Sequence, residues 1–223
     1  MKFKKHLENQ DEKIKINSIN KDLEPTNVLR KHYKNRQELD IDFYTSNLLQ
    51  TNDVGVARIL STYGNTAVIE QVDGIYYDRI LDRIEQGLLN QENIKRVAQE
   101  LCKWLKKYYA VTKNASRGDI SFKNFIFTTQ GECVGINFEK PLELCRCEYD
   151  MGRMLFYVAT NEPMFTSGKI QMCKVLLECF LKMNVDINLI KKEYEAEFDK
   201  IKGQKAGFIN FETQIKDFWD LLI

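Results

Sequence analysis

The hydrophobic period of the chain changes at Gly74, and this change constrains the fold more than any other feature of the sequence. Before Gly74, short runs alternate apolar and polar residues, as half-buried strands do. These runs cover residues 14–19, 27–33, 56–62 and 66–72, with a helical pattern over 36–50. After Gly74, apolar residues recur at helical intervals, clearly over 91–111 and again from 148 to the end. Strands are therefore expected in the first third of the chain and helices in the remainder.

One hairpin interrupts the helical part. Residues 125–127 and 133–138 are strand-like and flank Thr129-Gln130-Gly131, which has the composition of a turn. The sequence predicts an α+β fold, with a small antiparallel sheet and one helix in residues 1–73. Residues 74–223 form a mainly helical second part in this prediction.

Charge and composition exclude several classes of protein. The 33 Lys and Arg residues nearly balance the 32 Asp and Glu residues, so no basic excess is available to bind nucleic acid. The only histidines are His6 and His32, which excludes histidine-rich metal sites. No apolar run approaches the roughly 20 residues that a membrane span needs, and no signal-peptide core follows Met1. We expect a cytoplasmic protein without a nucleic-acid or membrane partner.

The segment 117–124 carries the clearest chemical motif. It reads R-G-D-I-S-F-K-N, so Asn124 follows Asp119 with the spacing of a protein-kinase catalytic loop. Asn137 lies across the hairpin in G-I-N-F-E, and E-Y-D-M-G-R occupies 148–153. Together these motifs resemble the kinase-like small-molecule phosphotransferases of the aminoglycoside phosphotransferase and choline kinase type. That superfamily typically carries H-G-D-x-x-x-x-N, I-D-F-E and Y-D-L-G-R, and the resemblance is strongest from Asn114 to Thr160.

The resemblance implies a protein-kinase-like two-lobe fold and a function. It implies ATP-dependent transfer of the γ-phosphoryl group to a hydroxyl of a small molecule such as an aminoglycoside, an amino alcohol or a sugar. Asp119 would be the catalytic base. Asn124 would contact the nucleotide and Mg²⁺, and Asn137 with Glu139 would complete the metal ligands.

A kinase-like site also needs a strand lysine that is paired with an acidic residue on the next helix. Arg30 and Lys31 are the candidates, and because alternate residues of a strand face opposite sides, only one can point into the cleft. Lys31 is favoured, with Asp40 or Asp42 as its partner.

Two further segments bear on ligand binding. The segment 70–73, which includes Glu70 and Val72, would form a hinge whose backbone meets adenine. The acidic run Glu193, Glu195, Glu197 and Asp199 either meets a cationic substrate or forms a solvated helix face.

The chain departs from the family pattern in ways that leave two hypotheses open. Asn137 stands where the family has a carboxylate, which removes a full negative charge from the metal site. Arg117 replaces the usual histidine at a position that supports the loop, and no glycine occurs between Met1 and Asp53 to build a phosphate-covering loop. The chain is either an active phosphotransferase or a kinase-like nucleotide-binding or partner-binding module with little or no activity. The sequence gives no indication of oligomeric state.

Overall fold

A computed structural model describes residues 28–142, 146–202 and 212–222. Within these residues the fold is α+β with a majority of helix, as the sequence predicts. It has two three-stranded antiparallel sheets, where the sequence predicts one sheet and a separate hairpin. The strand predicted at 14–19 lies outside the described residues.

The N-terminal sheet consists of β1 (Val28–His32), β2 (Ile59–Tyr63) and β3 (Thr66–Glu70) in the order β1-β3-β2. Helix α1 (Arg36–Gln50) contributes Leu39 to a small core that it shares with Tyr33 and Ala67 of the sheet side. The helix begins where the Asn35 side chain accepts a hydrogen bond from the Glu38 N–H at 2.9 Å. Such N-caps satisfy a backbone donor that the helix itself leaves unpaired.

The second sheet corrects the prediction for the segment that begins at Gly74. Its strands are β4 (Gly74–Tyr76), β5 (Phe125–Thr128) and β6 (Cys133–Gly135), and helix α2 (Tyr77–Glu85) begins only after β4. A strand of three residues is too short to show an alternating period. The predicted strand 56–62 is also divided, because Val56 bridges to Gly135 in the second sheet and only the later residues join the first.

The remaining elements are helical and form the main core. They are α3 (Gln91–Thr112), a 3₁₀ turn (Phe122–Asn124), α4 (Cys147–Thr160), α5 (Ser167–Leu181), α6 (Ile187–Lys202) and α7 (Glu212–Leu222). Helix α3 packs on α5, and α4 packs on α6. A Cβ at Gly135 would approach the Trp104 ring to 2.4 Å, so only glycine lets β6 lie this close to α3. Among the described helices, none has the length and apolar character to cross a membrane.

Candidate functional site

Four residues from three separate segments meet in one cluster, which we call the Lys31 cluster: Lys31, Asp42, Asn137 and Glu139. The Lys31 ammonium donates to Asp42 Oδ2 at 2.8 Å, to Asn137 Oδ1 at 2.9 Å and to Glu139 Oε2 at 2.8 Å. An ammonium group has three N–H donors, so all three are used. The cluster ties β1 and α1 to the segment that follows β6.

The structure separates the alternatives that the sequence leaves open. Arg30 is exposed, whereas Lys31 points inward to Asp42, whose side chain is only 4% exposed. Asp40 pairs instead with Arg36 on the surface of α1. The strand lysine and its helix partner are therefore Lys31 and Asp42, and their contact with a nucleotide stays a prediction.

A directional chain of hydrogen bonds runs from the Lys31 cluster to the loop that carries Asp119. Asn137 Nδ2 donates to Asn124 Oδ1 at 3.0 Å, and Asn124 Nδ2 donates to the Asp119 carbonyl oxygen at 3.3 Å. A lysine ammonium can only donate and a carbonyl can only accept. The two ends of this hydrogen-bond chain thus fix the orientation of both amides. Each amide accepts through its oxygen on the Lys31 side and donates through its nitrogen on the Asp119 side.

Asp119 lies at the turn of this loop. Gly118, with φ of 77°, adopts the left-handed conformation that glycine enters without a Cβ clash. The Asp119 carboxylate accepts from the Ser121 N–H at 3.3 Å and pairs with the Lys140 ammonium at 3.4 Å. Burial alone would raise the pKa of this carboxyl, but Lys140 and the Ser121 N–H outweigh burial and hold the pKa below its ordinary value. Asp119 is therefore ionised at neutral pH.

Arg117, at the start of this loop, holds the segment that follows β6. Its guanidinium is buried, with the rings of Phe138 and Phe125 at 4.5 and 4.7 Å, and it donates to the backbone carbonyls of Ile136 and Asn137. Asn137 has φ of 62°, a left-handed conformation that asparagine tolerates better than most residues. Arg117 thus stabilises the segment that presents Asn137 to Lys31.

Asp150 is a second buried support. Its carboxylate accepts hydrogen bonds from the Ser116 hydroxyl and the Arg117 N–H, both at 2.7 Å, and from the Tyr109 hydroxyl at 3.0 Å. Arg153, one turn further along α4, donates to the Gly118 carbonyl at 3.3 Å. The two residues of the D-M-G-R motif therefore hold both sides of the Asp119 loop.

The structure does not bring the two predicted hinge residues into the cluster. The Glu70 carboxylate accepts two hydrogen bonds from the Arg58 guanidinium, at 2.7 and 2.9 Å. Val72 lies in the connection between β3 and β4, where the carbonyl of Asp73 accepts from the Thr129 N–H. This connection joins the two sheets, as a hinge would, and its contact with adenine stays a prediction.

The oxygen atoms of the Lys31 cluster are of the type that binds a hard cation. Oxygens of Asp42, Asn137 and Glu139 already converge on one positive charge, the Lys31 ammonium. Carboxylate and amide oxygens are also the ligands that Mg²⁺ takes. In the described parts of the chain, no three His, Cys, Asp or Glu side chains form a metal-binding group, and Asn124 Oδ1 faces an amide N–H. The magnesium site at Asn124, Asn137 and Glu139 stays a prediction.

Sequence patterns did not single out Lys140 or give roles to Asp150 and Arg153. Lys140 follows the I-N-F-E segment without a periodic signal, and its ion pair with Asp119 depends on the path of the chain after β6. The D-M-G-R motif did mark Asp150 and Arg153, and the three-donor environment of Asp150 supplies the physical reason for that motif.

Relatives of known function do not add to this site. No protein-family model matches the chain, and no curated protein matches it.

Proposed function

We propose that this chain is a kinase-like enzyme that transfers the γ-phosphoryl group of ATP to a hydroxyl of a small molecule. The proposal includes a two-lobe arrangement in which the nucleotide lies between the N-terminal sheet and the Asp119 loop. One observation carries it: the hydrogen-bonded chain that links Lys31, Asn137 and Asn124 to the backbone of Asp119. Residues that phosphoryl transfer requires are thus joined across more than 100 positions of sequence.

Each residue has a defined task in this proposal. Lys31, which Asp42 holds in place, exchanges its contacts with Asn137 and Glu139 for the phosphates of the nucleotide. Asp119 orients the acceptor hydroxyl and takes its proton as the new bond to phosphorus forms. Asn124, Asn137 and Glu139 would hold Mg²⁺, which neutralises phosphate charge when it is bound. Arg117 and Asp150 keep the loop in the geometry that these tasks need.

The experiment that tests this function is an acceptor screen with the full chain. ATP and Mg²⁺ are incubated with aminoglycosides, amino alcohols, sugars and hydroxy acids, and ADP and new phosphomonoesters are measured by phosphorus NMR. We expect ADP formation that depends on the acceptor and exceeds the hydrolysis of ATP in its absence. Hydrolysis at one rate with every acceptor would contradict the transfer function.

A kinase-like nucleotide-binding or partner-binding module with little or no activity is the second candidate. The amide chain favours it, because the Asn124 and Asn137 side chains are satisfied by protein groups alone. A carboxylate at position 137 could not donate to Asn124 Oδ1, and two oxygens would face each other unless a cation lay between them. Asn137 therefore makes a site that is complete without a metal ion.

The substitution Asn137→Asp tests how far nucleotide binding depends on the metal. We expect this variant to bind ATP at least about tenfold more tightly in Mg²⁺ than in EDTA, with a smaller ratio for the wild type, because one added charge next to a divalent ion contributes more than 1.4 kcal/mol. Isothermal titration calorimetry gives both affinities.

A matched control is available elsewhere in the chain. Asn184 also has a left-handed backbone, with φ of 58°, so Asn184→Asp makes the same chemical change at a distant exposed position. A wild-type protein that already depends on Mg²⁺ as strongly as Asn137→Asp would remove the support for the inactive module.

A further inference from the structure

Several positively charged groups lie near Asp119. Lys140 pairs with Asp119 at 3.4 Å, yet its side chain is 61% exposed, and among the described residues it has no other ion-pair partner. An ammonium group has three donors, so Lys140 can bind a further acceptor without leaving Asp119. Lys123, in the same loop, is exposed and also acts electrostatically on Asp119.

Two more cations, Arg153 of α4 and Lys200 of α6, lie near this loop, and we call this surface the Arg153 flank. The Arg153 guanidinium donates to the Gly118 carbonyl and stacks on the Tyr149 ring at 3.8 Å, and the Lys200 ammonium lies 5.7 Å from the same ring. Arg153 and Lys200 share one carboxylate, Glu197, at 2.8 and 2.7 Å. One carboxylate thus pairs with two cations on this flank.

Among the described residues, Glu197 is the one member of the acidic run of α6 that forms an ion pair with Arg153 or Lys200. Glu197 is occupied by Arg153 and Lys200, and Glu195 and Asp199 are exposed. The Glu193 Cβ lies against Gly152, where α6 packs on α4. Of the two interpretations of this run, the described contacts favour a largely solvated helix face over a pocket for a cationic substrate.

We propose that the phosphoryl acceptor carries an anionic group, a carboxylate or a phosphate ester, and that Lys140 binds this group next to Asp119. The inference rests on the proposed transfer function and names its substrate class. An ammonium donor and an anionic acceptor form a charge-assisted hydrogen bond, which is stronger than a neutral one. A cationic acceptor such as an aminoglycoside would instead meet Lys140, Lys123 and the Arg153 flank as like charges.

The proposed transfer step needs no further reactant besides ATP, the acceptor and Asp119. Asp119 accepts the proton of the acceptor hydroxyl, and the hydroxyl oxygen forms a bond to the γ-phosphorus. The bond between that phosphorus and the β,γ-bridging oxygen breaks, and ADP leaves with its electron pair. Lys140 keeps its ion pair with Asp119 while another of its three donors binds the anionic group, so the acceptor hydroxyl is held next to the carboxylate that takes its proton.

Six-carbon hydroxyl compounds that differ in charge test the charge preference directly. Gluconate is anionic, glucose is neutral and glucosamine is cationic, and glucose 6-phosphate represents the phosphate esters. We expect kcat/KM to be at least about tenfold higher for an anionic member than for the neutral and cationic members. A preference for the neutral or the cationic member would overturn the inference.

The Lys140→Met variant identifies the residue responsible. We expect it to raise the KM for the anionic acceptor by about tenfold or more and to leave the KM for ATP unchanged, since Lys140 binds the acceptor. Lys106→Met, at an exposed position on α3, is the control for loss of a surface charge. An equal effect of Lys140→Met on every acceptor and on ATP would assign Lys140 to the nucleotide instead.

A binding measurement separates this inference from the transfer function. Calorimetry with a non-hydrolysable ATP analogue present compares the affinities for gluconate, glucose 6-phosphate, glucose and glucosamine. Binding of an anionic member that Lys140→Met abolishes, without any transfer, would contradict the enzyme and support the charge selectivity. Equal or absent binding of all four compounds would contradict the charge selectivity, whatever the transfer assay shows.

Discussion

Replacement of Asp119 by asparagine is expected to lower the rate of phosphoryl transfer by about 10²–10⁴-fold, the range that a positioned general base contributes. Asparagine has nearly the shape of aspartate, and its Oδ1 can still accept from the Ser121 N–H, so the loop should keep its conformation. The amide cannot take the hydroxyl proton and cannot pair with Lys140 as a charge. ATP affinity should stay within about twofold, because in the proposed function Asp119 contacts the acceptor, whereas the Lys31 cluster holds the nucleotide.

A surface aspartate outside the loop provides the control for this variant. Asp82 on α2 forms a comparable ion pair with Arg79 at 3.3 Å, so Asp82→Asn makes the same chemical change at a second surface ion pair. Transfer and ATP binding are measured for both variants and for the wild type under the same conditions. Full transfer activity in Asp119→Asn would require another proton acceptor and would end the assignment of Asp119 as the base.

Local patterns predicted most of the elements and part of the site. The pattern over 36–50 predicted α1 with the bounds that the structure shows, because one face of this helix is buried and Asn35 caps its start. Strand alternation predicted that only one of Arg30 and Lys31 can face inward, and in the structure Lys31 is the one that contacts Asp42. These predictions succeeded because their physical cause lies within a few residues of sequence.

Long-range contacts explain what the sequence patterns missed. The pairing of β4 with β5 and the bridge from Val56 to Gly135 depend on which segments meet in the folded chain, and an alternating pattern does not name its partner strand. The ion pair of Lys140 with Asp119 has no period to detect. The motif marks Asp119 and Asn124, but the link that the Asn137 amide forms between Lys31 and Asn124 depends on the folded path of the chain.

Buried polar groups support the Asp119 loop. Arg117 holds the backbone at 136–137, and Asp150 holds the backbone at Arg117 itself, so the two supports act in series. A buried polar group stabilises a fold only while its partners are present, because each orphaned group keeps its full cost of desolvation. The last support in the series, Asp150, should therefore be the most sensitive position.

Replacement of Asp150 by alanine is expected to reduce the free energy of unfolding by about 3–5 kcal/mol, since it leaves three buried donors without their acceptor and removes a negative charge that acts on the buried Arg117 guanidinium. The Asp150 side chain is fully buried, so water cannot replace the carboxylate without opening the core. Ser116→Ala removes one of the three donors and should cost less, about 1–2 kcal/mol. Asp199→Ala, at an exposed position on α6, should change stability by less than about 0.5 kcal/mol. Urea denaturation followed by circular dichroism gives all three values, and an Asp150→Ala protein as stable as Asp199→Ala would show that the loop does not depend on this carboxylate.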